Sequence, residues 1–433
     1  MEKYESYKPS GVSWIGEIPS HWDTMRIKFY CDSISSGATP KTSVASYWNG
    51  DIPWIPSGCC HDCNIGEAPK FITKEGLRSC STQVVPAGTT VMAMTGATCS
   101  QVGFLTIDAA TNQSVMAYIE NKRKADAKFL FYLLQGAREY ILTHQTGGAQ
   151  AGIDGQDCSN LLVPFVPFEE QKAIAAFLDS KCAEIDKAIA IQSKKIDLLN
   201  ELRQAVITKA VTGNLMDGRG LRSKSALFDF IPSGWAECQI KNVIIGIQDG
   251  THGSFARVPG GRYLLSAKNV FEDGLHLGSN ESNISEQDYK SIISNGYPAK
   301  GDIAICCVGT IGRCCIYSYD EIYAFQRSVT FLRPKNTINT EFLLYVLRGK
   351  KTQMQLEQLA KTSAQSGIYM GALASVHILL PPRFQQDAIV NQIKTRLTPL
   401  DNLLSLSKKE VELLKQYKQS LITEVVTGKR KVC

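Results

Sequence analysis

The stretch Gln204-Ala205-Val206-Ile207-Thr208-Lys209-Ala210-Val211-Thr212-Gly213 returns near the far end of the chain as Gln419-Ser420-Leu421-Ile422-Thr423-Glu424-Val425-Val426-Thr427-Gly428. Working outward, the match continues. Ile18-Pro19-Ser20-His21-Trp22 is answered by Ile231-Pro232-Ser233-Gly234-Trp235. Gly88, Gly96 and Gln113 are answered by Gly301, Gly309 and Gln326, and Ala149-Gln150-Ala151-Gly152-Ile153 by Ala364-Gln365-Ser366-Gly367-Ile368. The shift drifts only from about 213 to 215, so the 433 residues are one unit of about 215 residues written twice. A duplicated chain favours pseudo-two-fold symmetry, which suits a two-part target.

Each copy reads as a mixed α/β domain followed by a long amphipathic helix. Short β-rich runs such as Thr90 to Met94 and Val115 to Ile119 alternate with Gly, Pro, Ser and Asn turns. A helix is expected over Ala127 to Leu142, with a counterpart over Thr340 to Leu359. Leu161-Leu162-Val163-Pro164 and Ile378-Leu379-Leu380-Pro381 close the two domains as last strands. Long helices then run from about Glu169 to Thr212 and from about Gln385 to Thr427. Ile185, Ile189, Gln192, Ile196, Leu199, Leu202 and Val206 step by threes and fours, as do Leu400, Leu404, Ser407, Val411, Leu414, Tyr417 and Leu421. That spacing is a coiled-coil seam. Forty-four residues make a rod of about 66 Å, too long for a helix lying on its own small domain. The two rods are therefore expected to pair antiparallel, with Ile185 near Leu414, Leu199 near Leu400, and polar Gln192 opposite Ser407. Pro399 predicts a kink or break in the second rod.

Composition bounds the chemistry. Apolar content of 44% and charged content of 20% are those of a globular protein, and no apolar run approaches the roughly 20 residues of a membrane span. The polar opening Met1 to Ser10 has no signal-peptide pattern, which predicts a cytoplasmic protein with reduced thiols among its 14 cysteines. The net charge of +6 permits a polyanionic partner without demanding one. Nucleotide-binding, amino-methylating, esterase and zinc-protease motifs are absent from the sequence, and the six histidines are scattered. Cys59-Cys60-His61-Asp62-Cys63 and Cys306-Cys307 with Cys314-Cys315 resemble zinc ligands by composition. In the first copy, however, Ala93, Met94, Gln101 and Val102 stand where Cys306, Cys307, Cys314 and Cys315 stand in the second, which favours packing over metal.

Turns mixing small polar, aromatic and basic residues are the candidate DNA contacts. They contribute Lys41, Ser43, Tyr47, Ser57, Thr95, Thr98 and Gln113 in the first copy. The second copy contributes Thr251, His252, Lys268, Asn269, Thr310, Arg313, Gln326 and Arg327. Gln, Asn, Lys and Arg present donors and acceptors that match base edges, while Ser and Thr suit phosphates. The same composition also fits ordinary solvated loops. Trp14, Trp22, Trp54 and Trp235 are expected as core anchors.

With its Pro167-Phe168-Glu169-Glu170-Gln171 and Ile174, and Pro382-Arg383-Phe384-Gln385-Gln386 and Ile389, the chain resembles the specificity subunit of type I restriction–modification enzymes. Gly11-Val12-Ser13-Trp14-Ile15-Gly16-Glu17-Ile18-Pro19 and the helix ends at Thr212-Gly213 and Thr427-Gly428 share in that resemblance, which covers essentially the whole chain. The second copy departs from the pattern, with Arg383 and Gln385 where an acidic pair is expected. The resemblance implies two target-recognition domains, residues 1–160 and 214–380, each reading half of an interrupted double-stranded DNA site. It implies spacer helices at 161–213 and 381–433 that act as a ruler and dock two methyltransferase (modification) subunits, which restriction subunits join. The chain itself would be non-catalytic, with S-adenosylmethionine, ATP and Mg2+ held by the partners. A coiled-coil protein-interaction adaptor and a zinc-dependent enzyme are the competing readings.

Overall fold

The computed structural model describes residues 3–147, 151–213, 220–222, 227–278, 280–361 and 367–432. Of the repeated run, Ala149, Gln150, Ala364, Gln365 and Ser366 lie outside the described residues. Thr90–Ala93 is buried along its whole length: Val91, Met92 and Ala93 are apolar, and the Thr90 hydroxyl is satisfied by Ala127 O at 2.9 Å. It sits inside a five-stranded sheet whose order is Cys31–Ser36, Val115–Glu120, Thr90–Ala93, Val102–Leu105, Cys63–Ile65. The second copy repeats the first four: Ile244–Asp249, Val329–Pro334, Ile303–Cys306, Cys314–Ile316. A smaller sheet accompanies each, built around the parallel pairs Trp54/Ala110 and Leu264/Ala324. The last strand of each domain returns to its first residues, Leu162–Phe165 on Asp23–Arg26 and His377–Leu380 on Ala236–Gln239. The fold is mixed α/β, as the sequence predicted.

Two 44-residue helices follow, Phe168–Val211 and Arg383–Val426. Pro399 does not break the second one. Proline removes one backbone donor, but Leu397, Leu400 and Leu404 on either side all turn inward, and that packing carries the helix past it.

The chain divides into two units that do not follow the repeat. The first is Met1–Ser193 with Lys409–Cys433, and the second is Lys194–Lys408. Each long helix thus begins in one unit and ends in the other, and each unit contains two half-helices. Within the first unit, Asp186 accepts from Lys418 Nζ at 2.7 Å through both oxygens, and Arg430 lies over Phe177, so the two halves run antiparallel. Within the second, Arg203 Nε donates to Asp401 at 2.9 Å in the equivalent place. Ile185 and Leu414 join the core of the first unit, and Leu400 packs on that of the second, where Leu199 is half-buried. Leu202 and Tyr417, expected in the seam, are exposed instead. Arg203 and Lys418, one residue on, turn inward to form the ion pairs and displace them. Gln192 Oε1 and Ser407 Oγ are buried without a hydrogen-bond partner among the described residues, and the division between units falls beside each.

Candidate nucleic-acid interface

The motif residues that repeat most faithfully hold the domains on the helices. Gln171 is fully buried in the first turn of its helix. Its amide donates to Val166 O at 2.8 Å and Lys124 O at 2.9 Å, and its oxygen accepts from Asp126 N at 3.0 Å. Asp126 in turn caps the helix Ala127–Gly136. Gln386 does the same with Pro381 O (2.9 Å) and the amide of Asn339 (2.7 Å), which caps Thr340–Arg348. Trp22 Nε1 donates to Glu170 at 3.0 Å, and Trp235 Nε1 to Gln385 at 2.9 Å. At the other helix ends, Gln419 Nε2 reaches Gln135 O (2.8 Å) and Gln204 Nε2 reaches Arg348 O (2.7 Å). Gly213 and Gly428 have φ of 72° and 74°, and a Cβ there would meet Pro232 or Pro19 at 2.2 or 2.4 Å. The Ile-Pro-Ser-x-Trp motif of one copy therefore receives the helix end of the other.

The candidate contact residues gather at one corner of each sheet. In the first unit the chain leaves Cys31–Ser36 through Gly37, whose absent Cβ would lie 1.9 Å from Thr111 O. Ala38 N donates to Thr111 O, and Trp54 Nε1 donates to Ala38 O at 3.1 Å. This pins Thr39, whose hydroxyl donates to Gln113 Oε1 at 2.5 Å. Gln113 is exposed at the tip of the neighbouring turn. Lys41 and Ser43 are exposed on the same excursion, and Lys41 O accepts from Trp48 Nε1. Tyr47 is half-buried in the turn Ala45–Tyr47, and Ser57 opens the turn Ser57–Cys59. Half-buried Thr95 and Thr98 flank the next turn, where Thr95 bridges Gly152.

In the second unit Gly250 makes the same close approach, 2.3 Å from Gln326 O, and Thr251 N donates to Phe325 O. His252 and Arg327 are exposed and line a cavity of about 280 Å3 with Asp249, Val308 and Tyr369. Gln326 is half-buried, and Thr310 is exposed on the loop after Ile303–Cys306. Lys268 is exposed but paired to Glu281 at 2.8 Å. Burial opposes ionisation of Glu281, but hydrogen bonds from Lys268, Gly278 N and Asn269 outweigh it and hold its pKa below the usual range. Asn269 is turned inward: its amide donates to His276 O and Glu281, and its oxygen accepts from Ser266 N. Arg313 is half-buried, donating to Ala267 O at 2.6 Å with its guanidinium 4.5 Å over Phe271. Asn269 and Arg313 therefore shape the turn that carries Lys268. The indole N–H groups of Trp14, Trp22, Trp48, Trp54 and Trp235 are all spent on internal acceptors.

Hydrogen bonds shift the alignment of the copies by one residue here. Val115 N donates to Asn112 O and Val329 N to Gln326 O, while Met94 N donates to Ser114 O and Cys307 N to Ser328 O. Gln113 therefore corresponds to Arg327, and Gln326 to Asn112. A single sequence with a glutamine in both loops does not disclose this slip.

Cys306, Cys314 and Cys315 lie in sheet strands and Cys307 directly after one. Burial raises the thiol pKa of Cys307 and Cys315 to about 12 and that of Cys314 to about 11. In the first copy Cys60 is buried and Cys63 exposed, while His61 bonds Gln101 and Asp62 pairs with Arg138. Among the described residues no group of three or more His, Cys, Asp or Glu is arranged to hold a metal ion.

The model of the type I restriction modification DNA specificity domain matches residues 19–201 and again 261–416. The type I restriction enzyme MjaVIII specificity subunit of Methanocaldococcus jannaschii is 26% identical over 427 residues, spanning 96% of this chain and 94% of the relative. The EcoBI specificity subunit of Escherichia coli is 24% identical over 332 residues, 74% of this chain and 69% of its own. A solved chain from work on assembly and conformational transition of the type I R-M system superposes with a TM-score of 0.65. It is 17% identical and covers 94% of this chain and 98% of its own, a likeness of fold. With the family model matched once in each copy and over most of the length, the chain belongs to the type I restriction modification DNA specificity domain family.

Proposed function

We propose that this chain is the DNA sequence-recognition subunit of a type I restriction–modification complex. Residues 1–160 and 214–380 each read one half of an interrupted site, and the helical parts, 161–213 and 381–433, set the spacing and dock two methyltransferase subunits. Restriction subunits join that assembly. The chain is non-catalytic and cytoplasmic, and S-adenosylmethionine, ATP and Mg2+ act on the partners. Among the described residues no helix is long and apolar enough to cross a membrane.

The observation that carries the reading is the contrast between repeated seats and divergent corners. Two copies keep the residues that fasten domain to helix and vary the exposed side chains at the sheet corner. Such a pattern fits two readers of different half-sites on a common frame. A coiled-coil adaptor would share the frame but give no sequence-specific duplex binding.

Mapping methylated adenines genome-wide in cells with and without this protein tests the proposal. A bipartite motif methylated only in its presence is the expected result. Exchanging residues 11–160 for another recognition domain should change one half-site alone. Loss of no methylation on deletion, or change in both halves, would sink the reading. Removing one heptad from the first helix should alter the spacer or abolish assembly.

A further inference from the structure

The two sheet corners superimpose in hydrogen-bond pattern but differ at their tips. Thr39 and Gln113 occupy in the first unit the places of His252 and Arg327 in the second. Both tips are exposed, and each is held by a backbone that leaves little freedom. Gly37 and Gly250 press against the neighbouring turn, and the turns close through Val115 N to Asn112 O and Val329 N to Gln326 O, both at 3.1 Å. Among the described residues no ion pair engages the Arg327 guanidinium, although Asp249 lines the same cavity. A long planar polar group on a fixed turn is what base-edge recognition needs.

Resting on the DNA-reading role proposed above, we infer that Gln113 and Arg327 are equivalent base-reading tips, Gln113 taking an adenine in one half-site and Arg327 a guanine in the other. The chemistry follows from the donors. A glutamine amide accepts from adenine N6–H through Oε1 and donates through Nε2 to N7, whereas guanidinium donates twice, to guanine O6 and N7. The Thr39 hydroxyl donates to Gln113 Oε1 and holds the amide in place, while the second lone pair of that oxygen remains for the base. Thr39 is a positioning residue in this account. In the second unit His252 stands at the place of Thr39, and a guanidinium needs no hydroxyl to orient it because all its polar atoms are donors.

The test is a reciprocal exchange in the full chain assembled with its modification subunits. Random-sequence duplexes would be selected on wild type, Q113R and R327Q, and the bound consensus read out by sequencing. Q113R should convert one A·T pair to G·C in a single half-site, and R327Q one G·C pair to A·T in the other. Each preference should change on the order of 10- to 100-fold. T39V should weaken the adenine preference several-fold without creating a guanine preference. Thermal melting of each variant, expected to match wild type because both tips are exposed, separates altered reading from misfolding. An unchanged consensus in both exchange variants, or change in both half-sites from either one, would overturn the assignment. A wild-type complex that selects no bipartite consensus would instead defeat the underlying DNA-reading role.

Discussion

The seat of the first domain on its helix and that of the second share a skeleton and reverse their charges. Lys128 faces Asp179 at 3.7 Å in the first unit, while Glu341 faces Lys394 at 2.6 Å in the second. The four residues correspond under the repeat, so mismatching domain and helix would set Lys128 against Lys394, or Glu341 against Asp179. The shared Gln171 and Gln386 supply the fit, and the reversed pair supplies the choice of partner. Duplication creates two interchangeable seats. A sign reversal at one site is a small change that makes them distinguishable.

The units differ further in how they support their sheets, and this is where the largest effect is expected. Asp302 is buried and takes Arg333 Nε and a second guanidinium nitrogen at 2.8 Å each. Asp302→Ala should cost about 3 kcal/mol, read by thermal unfolding, because the half-buried Arg333 guanidinium loses two charge-assisted hydrogen bonds and Ala299 N loses its acceptor. Thr89 stands at the corresponding place in the first copy, with a buried hydroxyl that has no partner among the described residues. Thr89→Val should be neutral or slightly stabilising, and a large loss there would erase the contrast.

Gln171→Leu comes next, at about 2–3 kcal/mol, since three backbone groups lose their partner. Gln386→Leu leaves only two such groups and should cost less, which denaturant titration would resolve. Reversing the seat pair gives a smaller effect. Lys128→Glu should destabilise by about 1 kcal/mol because the site is partly exposed, and Asp179→Lys in the same chain should restore most of it. Failure of that rescue would show that the ionic contact does not select the seat.

The smallest difference concerns pH. Buried thiols occur in both units: Cys60 and Cys307 are each raised to about 12, against an unfolded value of roughly 8.5. A folded pKa above the unfolded one means that stability is complete below about pH 8.5 and declines as pH rises towards 12. Melting temperatures should therefore fall between pH 8 and pH 10.5. At pH 8 iodoacetamide should label exposed Cys63 and spare Cys60, Cys307 and Cys315 until unfolding.

Much of this architecture was legible in the residues. The repeat, the long helices and the tryptophan anchors follow from motifs whose side chains turn out to touch one another. What escaped is non-local. Whether Leu202 or Arg203 faces inward depends on Asp401, nearly 200 residues away, and helical spacing alone favours the leucine. Asn269 reads as an exposed amide beside Lys268 until the inward acceptors at His276 and Glu281 are seen. The one-residue slip that pairs Gln113 with Arg327 is invisible to matching letters and plain in the backbone hydrogen bonds. The candidate contacts thus fall into inward and outward members that only packing distinguishes.

The way each unit borrows half a helix has a consequence for synthesis. Residues 194–408 form one uninterrupted stretch, so the second unit has all its parts before translation ends. The first domain emerges earlier but lacks Leu421, Ile422, Val425 and Val426, which complete its core. Until residues 409–433 are made, that side of its core stays uncovered. The unit that starts first finishes last, and a stop codon just before Lys409 would spare the younger unit while leaving the older one incomplete.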